Sequence, residues 1–155
     1  MQQHLSREQA FQKIKHYCAY QERSHKEVKD KLYAYGLRTV IVNEILGSLI
    51  EENYLNEERF AKQFAGGKFR LKQWGKLKIA YELKLKQVSS YNIKVALDGI
   101  DDEDYIKTLR KLATTKWQSL KADTTFLKQS KTIAYLLQKG YEKNLVSEAA
   151  KSIIA

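Results

Sequence analysis

The 155-residue chain has no proline, one cysteine and one methionine. Without proline, the commonest helix stop is missing. A lone thiol, Cys18, cannot close an internal disulfide and suits a reducing compartment. No apolar run approaches the roughly 18 residues that a membrane-spanning helix needs. The polar opening Met1–Arg7 has no apolar centre of a secretion signal. These absences predict a cytoplasmic protein with no membrane partner. Acidic residues are scarce too: 18 Asp/Glu face 28 Lys/Arg, a formal net charge of +10. That sign favours anionic partners such as nucleic acid or acidic protein grooves. With 43% apolar and 30% charged residues, the chain is nevertheless expected to be globular.

Catalytic and cofactor chemistry is missing as well. Gly66-Gly67-Lys68 lacks the spaced glycine and the Ser/Thr of a phosphate loop. His4, His16, His25 and Cys18 do not fall at a zinc spacing, and His16 and Cys18 point to different faces of one helix. No nucleophile–base constellation can be assembled. The sequence therefore predicts a protein that is not an enzyme and holds no cofactor or metal.

What is present is helical periodicity. Ala10, Ile14, Tyr17 and Cys18 fall on one stripe behind a Ser6/Gln9 capping box. Ser24 with Glu27 opens a second helix on Val28, Leu32 and Tyr35, which Gly36 is placed to end. A third helix carries Val42, Ile45 and Leu49, with Thr39-Val40-Ile41 as its entry. Asn56 caps a fourth helix with Phe60, Ala61, Phe64 and Ala65. A corner at Trp74 leads into a fifth with Ile79 and Leu83, and Ser89 or Ser90 starts a sixth ending near Gly99. The acidic block 101–104 opens a seventh, where it opposes the helix dipole favourably. Residues 123–125 cap an eighth that ends at Gly140, and a ninth runs from about Glu142.

These helices repeat. Leu32, Leu83 and Leu136 are equivalent, as are Val42, Ile93 and Val146; Ile45, Ala96 and Ala149; and Leu49, Ile100 and Ile153. Gly36 and Gly140 align with Gln87 in the middle copy. The fold class expected is all-α, three tandem three-helix units at 1–54, 55–100 and 101–155. Small units must share a core with their neighbours, which predicts an elongated, curved row.

Charge is concentrated in the middle. Residues 66–100 hold 8 Lys/Arg against 2 Asp/Glu, a net of +6. Within them Lys68, Arg70, Lys72, Lys76, Lys78 and Lys84 interleave with Phe69, Trp74 and Tyr81. Cations beside aromatics suit phosphate contact with base stacking, or contact with an acidic protein groove. Equally, the rings can anchor a helix corner while the lysines form a solvated face. The candidate partner-binding residues are Lys68, Arg70, Lys72, Trp74, Lys76, Lys78 and Lys84, with Lys72 and Lys76 flanking the corner.

The run Asn53-Tyr54-Leu55-Asn56-Glu57-Glu58-Arg59-Phe60-Ala61, the basic Gly67-Lys68-Phe69-Arg70, and then Glu82-Leu83 and Lys86 resemble the central signature of the RecX family. Arg23-Ser24, Glu27, Lys31-Leu32 and Gly36 extend the resemblance through the first unit. One departure is Lys86-Gln87-Val88, where the family usually has Lys-Gly before an apolar residue. The resemblance implies a bacterial cytosolic modulator of the RecA recombinase, built of tandem three-helix units. It implies binding in the groove of the RecA filament on single-stranded DNA, and negative regulation of strand exchange and of the SOS coprotease. The implied partners are the RecA filament and single-stranded DNA, and the protein is expected to be a monomer. The alternative is a non-enzymatic helical module that binds nucleic acid through its basic centre.

Overall fold

A computed structural model describes residues 4–154, so the first three residues of the polar Met1–Arg7 stretch lie outside the described residues. Every regular element among the described residues is helical: α1 (Arg7–Tyr20), α2 (His25–Ala34), α3 (Thr39–Glu51), α4 (Glu57–Gly67), a π-helical turn (Lys68–Lys72), α5 (Lys76–Leu85), α6 (Ser90–Asp98), α7 (Asp102–Ser119), α8 (Thr125–Gln138) and α9 (Lys143–Ile154). The run Thr39–Val42 is the first turn of α3.

Side-chain caps set most helix starts, because the first four N–H groups of a helix have no partner within it. Ser6 and Gln9 form the full capping box of α1. Ser24 accepts from the Glu27 N–H, but the Glu27 carboxylate takes the Ser24 hydroxyl rather than a backbone N–H. Asn56 Oδ1 accepts from the Arg59 N–H at 2.9 Å. Ser89, not Ser90, caps α6, while Asp101 and Thr124 cap α7 and α8.

The repeat is visible in burial. Leu32, Leu83 and Leu136 are all fully buried. Each starts the same helix-ending turn. Gly36 N donates to Tyr33 O, Gln87 N to Lys84 O and Gly140 N to Leu137 O. All three residues have positive φ: 86°, 61° and 98°. In the second and third copies the next residue, Val88 or Tyr141, closes the turn on the carbonyl of the equivalent leucine and is buried. This is the Schellman arrangement with its apolar contact. The Lys86-Gln87-Val88 departure thus forms the same turn as the one after α8 and places a glutamine in left-handed backbone. In the last helix of each copy the match loosens: Val42 and Val146 are fully buried, whereas Ile93 and Ile153 are half-buried.

The chain divides into two compact units. The first joins the chain through Phe64 with Leu83–Ala96; the second joins Ala65–Glu82 with Leu97 onward. In the first unit, Ala10, Ile14 and Cys18 of α1 pack with Val28, Leu32 and Tyr35 of α2, Val42, Ile45 and Leu49 of α3, and Leu55. Cys18 is buried in this core, and burial pushes its thiol up to about 11. Hydrogen bonds tie α4 and α6 into this unit. Glu57 Oε1 accepts from Ser89 N at 3.0 Å and Asn92 Nδ2 at 2.8 Å, capping α6 from outside. Arg59 donates to Glu22 Oε2 at 2.6 Å and reaches back to both the side chain and the carbonyl of Asn53.

The second unit buries Tyr105, Leu109, Leu112 and Ala113 of α7, Leu136 of α8, and Val146, Ala149 and Ala150 of α9. It also holds the end of α4, where Gly66-Gly67 runs into the π-helical turn. That turn ends at Gln73, a second glutamine at positive φ, 57°. Short π segments in an α-helix often accompany functional sites. Here the turn places the start of α5.

Candidate functional site

The start of α5 is held by backbone. Gly75 N donates to Lys139 O at 2.8 Å and Leu77 N to Gly140 O at 2.9 Å. Lys76 N donates to the Tyr105 hydroxyl at 2.8 Å. Three early N–H groups of α5 therefore find partners on α7 and on the turn after α8. The approach is close enough to require glycine on both sides. A Cβ on Gly75 would lie 2.3 Å from the Gly140 carbonyl, and one on Gly140 would lie 2.3 Å from Lys78 Cβ. Side chains complete the clasp: Tyr141 Oη donates to Gln73 O at 2.9 Å, and Lys139 Nζ donates to Lys72 O at 2.9 Å. The Tyr105 hydroxyl also donates to Glu142. Burial first, and then this hydrogen bond to Glu142, hold the Tyr105 phenol far above its ordinary range.

On this base the lysines of the middle segment separate. Lys68 and Lys78 place their ammonium groups 5.1 and 4.6 Å from the centre of the half-buried Trp74 ring. Trp74, Lys78, Tyr135, Gln138 and Lys139 line a shallow groove of about 170 Å³. Lys116 and Lys139 lie 5.1 and 6.0 Å from the Tyr135 ring centre. Lys139 is held below its ordinary range by burial, and further by the like charges of Lys78 and Lys72. Lys139 is thus close enough to Lys72 and to Lys78 to be repelled by both, and the Trp74 and Tyr135 ring faces partly offset that repulsion.

Lys76 turns to α7, with its ammonium 4.9 Å from the Tyr105 ring centre and 3.8 Å from Asp102. Lys84 belongs to the first unit and is exposed there. Arg70 is exposed, with its guanidinium beside Gly66. Of the aromatics, Phe69 is buried, 5.8 Å from Tyr105 between ring centres, and anchors the corner. Sequence reasoning missed Lys116, Tyr135 and Lys139, which lie 42 to 65 residues beyond Trp74. The usable signal was the Gly140 turn, whose alignment with the end of α5 put Lys139 and Lys86 in equivalent places.

Two family models match: the second three-helix domain of RecX over residues 56–97, and the third over residues 102–149. Between them they cover more than half of the chain. The chain is 37% identical over 123 residues to Regulatory protein RecX of Clostridium perfringens (strain 13), covering 77% of this chain and 57% of that one. It is 32% identical over 134 residues to Regulatory protein RecX of Clostridium botulinum (strain Eklund 17B), covering 85% and 62%. The chain thus spans about three fifths of the length of these relatives. Its fold is similar to the crystal structure of RecX from Lactobacillus salivarius, with a TM-score of 0.87 at 23% identity over 94% of this chain and 95% of that one. Another regulatory protein RecX gives a TM-score of 0.85 at 19% identity over 94% and 71%. Two consecutive domain models of one family, relatives above 30% identity and the shared tandem-helix fold make this chain a member of the RecX family.

Proposed function

We propose that the protein binds the RecA filament and negatively modulates its recombinase and SOS coprotease activities. Membership of the RecX family carries this reading. The lysine cluster beside Trp74 and Tyr135 supports it, because a filament assembled on DNA presents a partner rich in negative charge. In this reading the protein acts in the cytoplasm as a monomer, by occupying the filament and without a catalytic step or cofactor. Its functional divisions are the three-helix units 1–54, 55–100 and 101–155. The second reading, a nucleic-acid-binding module independent of RecA, is favoured by the same cluster of lysines.

A pull-down separates the two. The full chain is offered RecA filaments on single-stranded DNA, RecA without DNA, and the DNA without RecA. Filament regulation predicts retention on filaments well above that on bare DNA at the same salt concentration. Equal retention on DNA with and without RecA would replace it with the second reading.

A further inference from the structure

Four lysines in the second unit sit against two aromatic rings: Lys68 and Lys78 at Trp74, Lys116 and Lys139 at Tyr135. Lys72 joins them through its carbonyl, which takes the Lys139 ammonium. Acids pair with Lys76, Lys86 and Lys131 elsewhere on the molecule, but among the described residues no carboxylate pairs with Lys72, Lys78, Lys116 or Lys139. The repulsion within the cluster is therefore left for a bound anion to relieve. Two features define that anion. The groove is about 170 Å³, well below the roughly 300 Å³ at which pockets begin to enclose a ring-bearing ligand. The ammonium groups also stand where a base would have to stack. The cations bordering the groove are lysines, which meet a phosphate as point charges.

We infer that the groove lined by Trp74, Lys78, Tyr135 and Lys139 grips the phosphodiester backbone of single-stranded nucleic acid, and that the two rings orient the lysines rather than stack on bases. The assignment deepens the function proposed above and rests on it for the kind of strand. It separates Trp74 from the stacking role its position in a basic run suggests. It also brings Lys139, from the third three-helix unit, into the interaction.

The test uses the full chain and two labelled strands of equal length, oligo-dT and a fully abasic oligonucleotide, titrated across a salt series. Phosphate gripping predicts that both strands bind within about twofold of each other; stacking would favour oligo-dT by roughly fivefold or more per stacked base. Lys72→Glu, and separately Lys78→Glu with Lys139→Gln, should weaken both strands alike. For every phosphate that a variant no longer neutralises, the log–log salt slope should flatten by roughly 0.7. Lys72→Glu alters an exposed side chain and Lys139→Gln keeps a donor, so circular dichroism should match wild type. Oligo-dT binding far tighter than abasic strand, or folded variants binding both strands like wild type, would overturn the assignment. Filament retention is scored in parallel. If wild type ignores filaments while the strand results hold, the regulatory reading fails and the groove assignment stands.

Discussion

Gln87 occupies a backbone position where its two counterparts are glycine. Left-handed backbone costs a non-glycine residue roughly 1–2 kcal/mol, and glycine's greater unfolded freedom gives back about 0.5–1 kcal/mol. Gln87→Gly should therefore stabilise the protein by about 0.5–1 kcal/mol, a rise of roughly 2–3 °C in a thermal melt. An unchanged or lower Tm would show that the Gln87 side chain contributes more than its backbone costs. His25 makes a second residue-scale prediction. Its Nε2 is buried without a partner, and its Nδ1 lies 3.8 Å from Glu57. Burial lowers its pKa, Glu57 raises it by less, and Lys29 adds to the fall. Between the folded value and about 6.5 the unfolded chain holds more protons, so stability rises with pH across that window. This contribution is present above pH 6.5 and is lost as pH falls below it. Glu57 follows at lower pH. Burial raises its pKa, but the bonds from Ser89 and Asn92, helped by His25, outweigh it and leave the carboxyl below its ordinary value. Its contribution is present above the ordinary carboxylate range and is lost as acid passes through it. Urea midpoints should fall between pH 7.5 and pH 5.5 for wild type and fall less for His25→Gln; equal falls would contradict the assignment.

At the scale of elements, the family signature is architectural. Asn53 ends α3 at positive φ, 65°; Asn56 caps α4; Glu57 caps α6 from outside; and Arg59 binds Asn53 and Glu22. None of these residues lies in the second unit, which carries the lysine groove. Arg59→Ala should cost roughly 1–2 kcal/mol by leaving Glu22 and the Asn53 carbonyl without their partner, discounted for partial exposure. A denaturation curve matching wild type would contradict that role. Leu83→Ala, at a fully buried site, should cost about 2–5 kcal/mol. Helix identity, most caps and the repeat were legible in the sequence, because 3.6-residue spacing and capping residues act locally. The π-helical turn was not, since Gly66-Gly67 permits a kink or close packing as readily as a π turn. Nor was the orientation of Lys76, which depends on Tyr105 and Asp102 in α7, nor the joining of Lys72 and Lys78 with Lys139. The last of these follows from the docking of α5 on the turn after α8, which joins residues more than 60 positions apart.

For the whole molecule, the net charge of +10 is less informative than its distribution. Counting along the chain placed the excess in the middle segment. Folding gathers part of that excess with Lys116 and Lys139, pairs Lys76 with an acid, and leaves Lys84 in the other unit. Through this lysine cluster, on the reading proposed above, a RecX-family chain restrains the RecA filament. The most direct measurement is a titration of RecA-driven strand exchange on single-stranded DNA with wild type and with the folded Lys72→Glu/Lys78→Glu variant. Wild type should inhibit. Reversing two charges penalises the encounter, so the variant should need on the order of tenfold more protein for the same inhibition. A wild-type chain that leaves strand exchange untouched, or a folded variant that inhibits at the wild-type concentration, would contradict that role for the cluster.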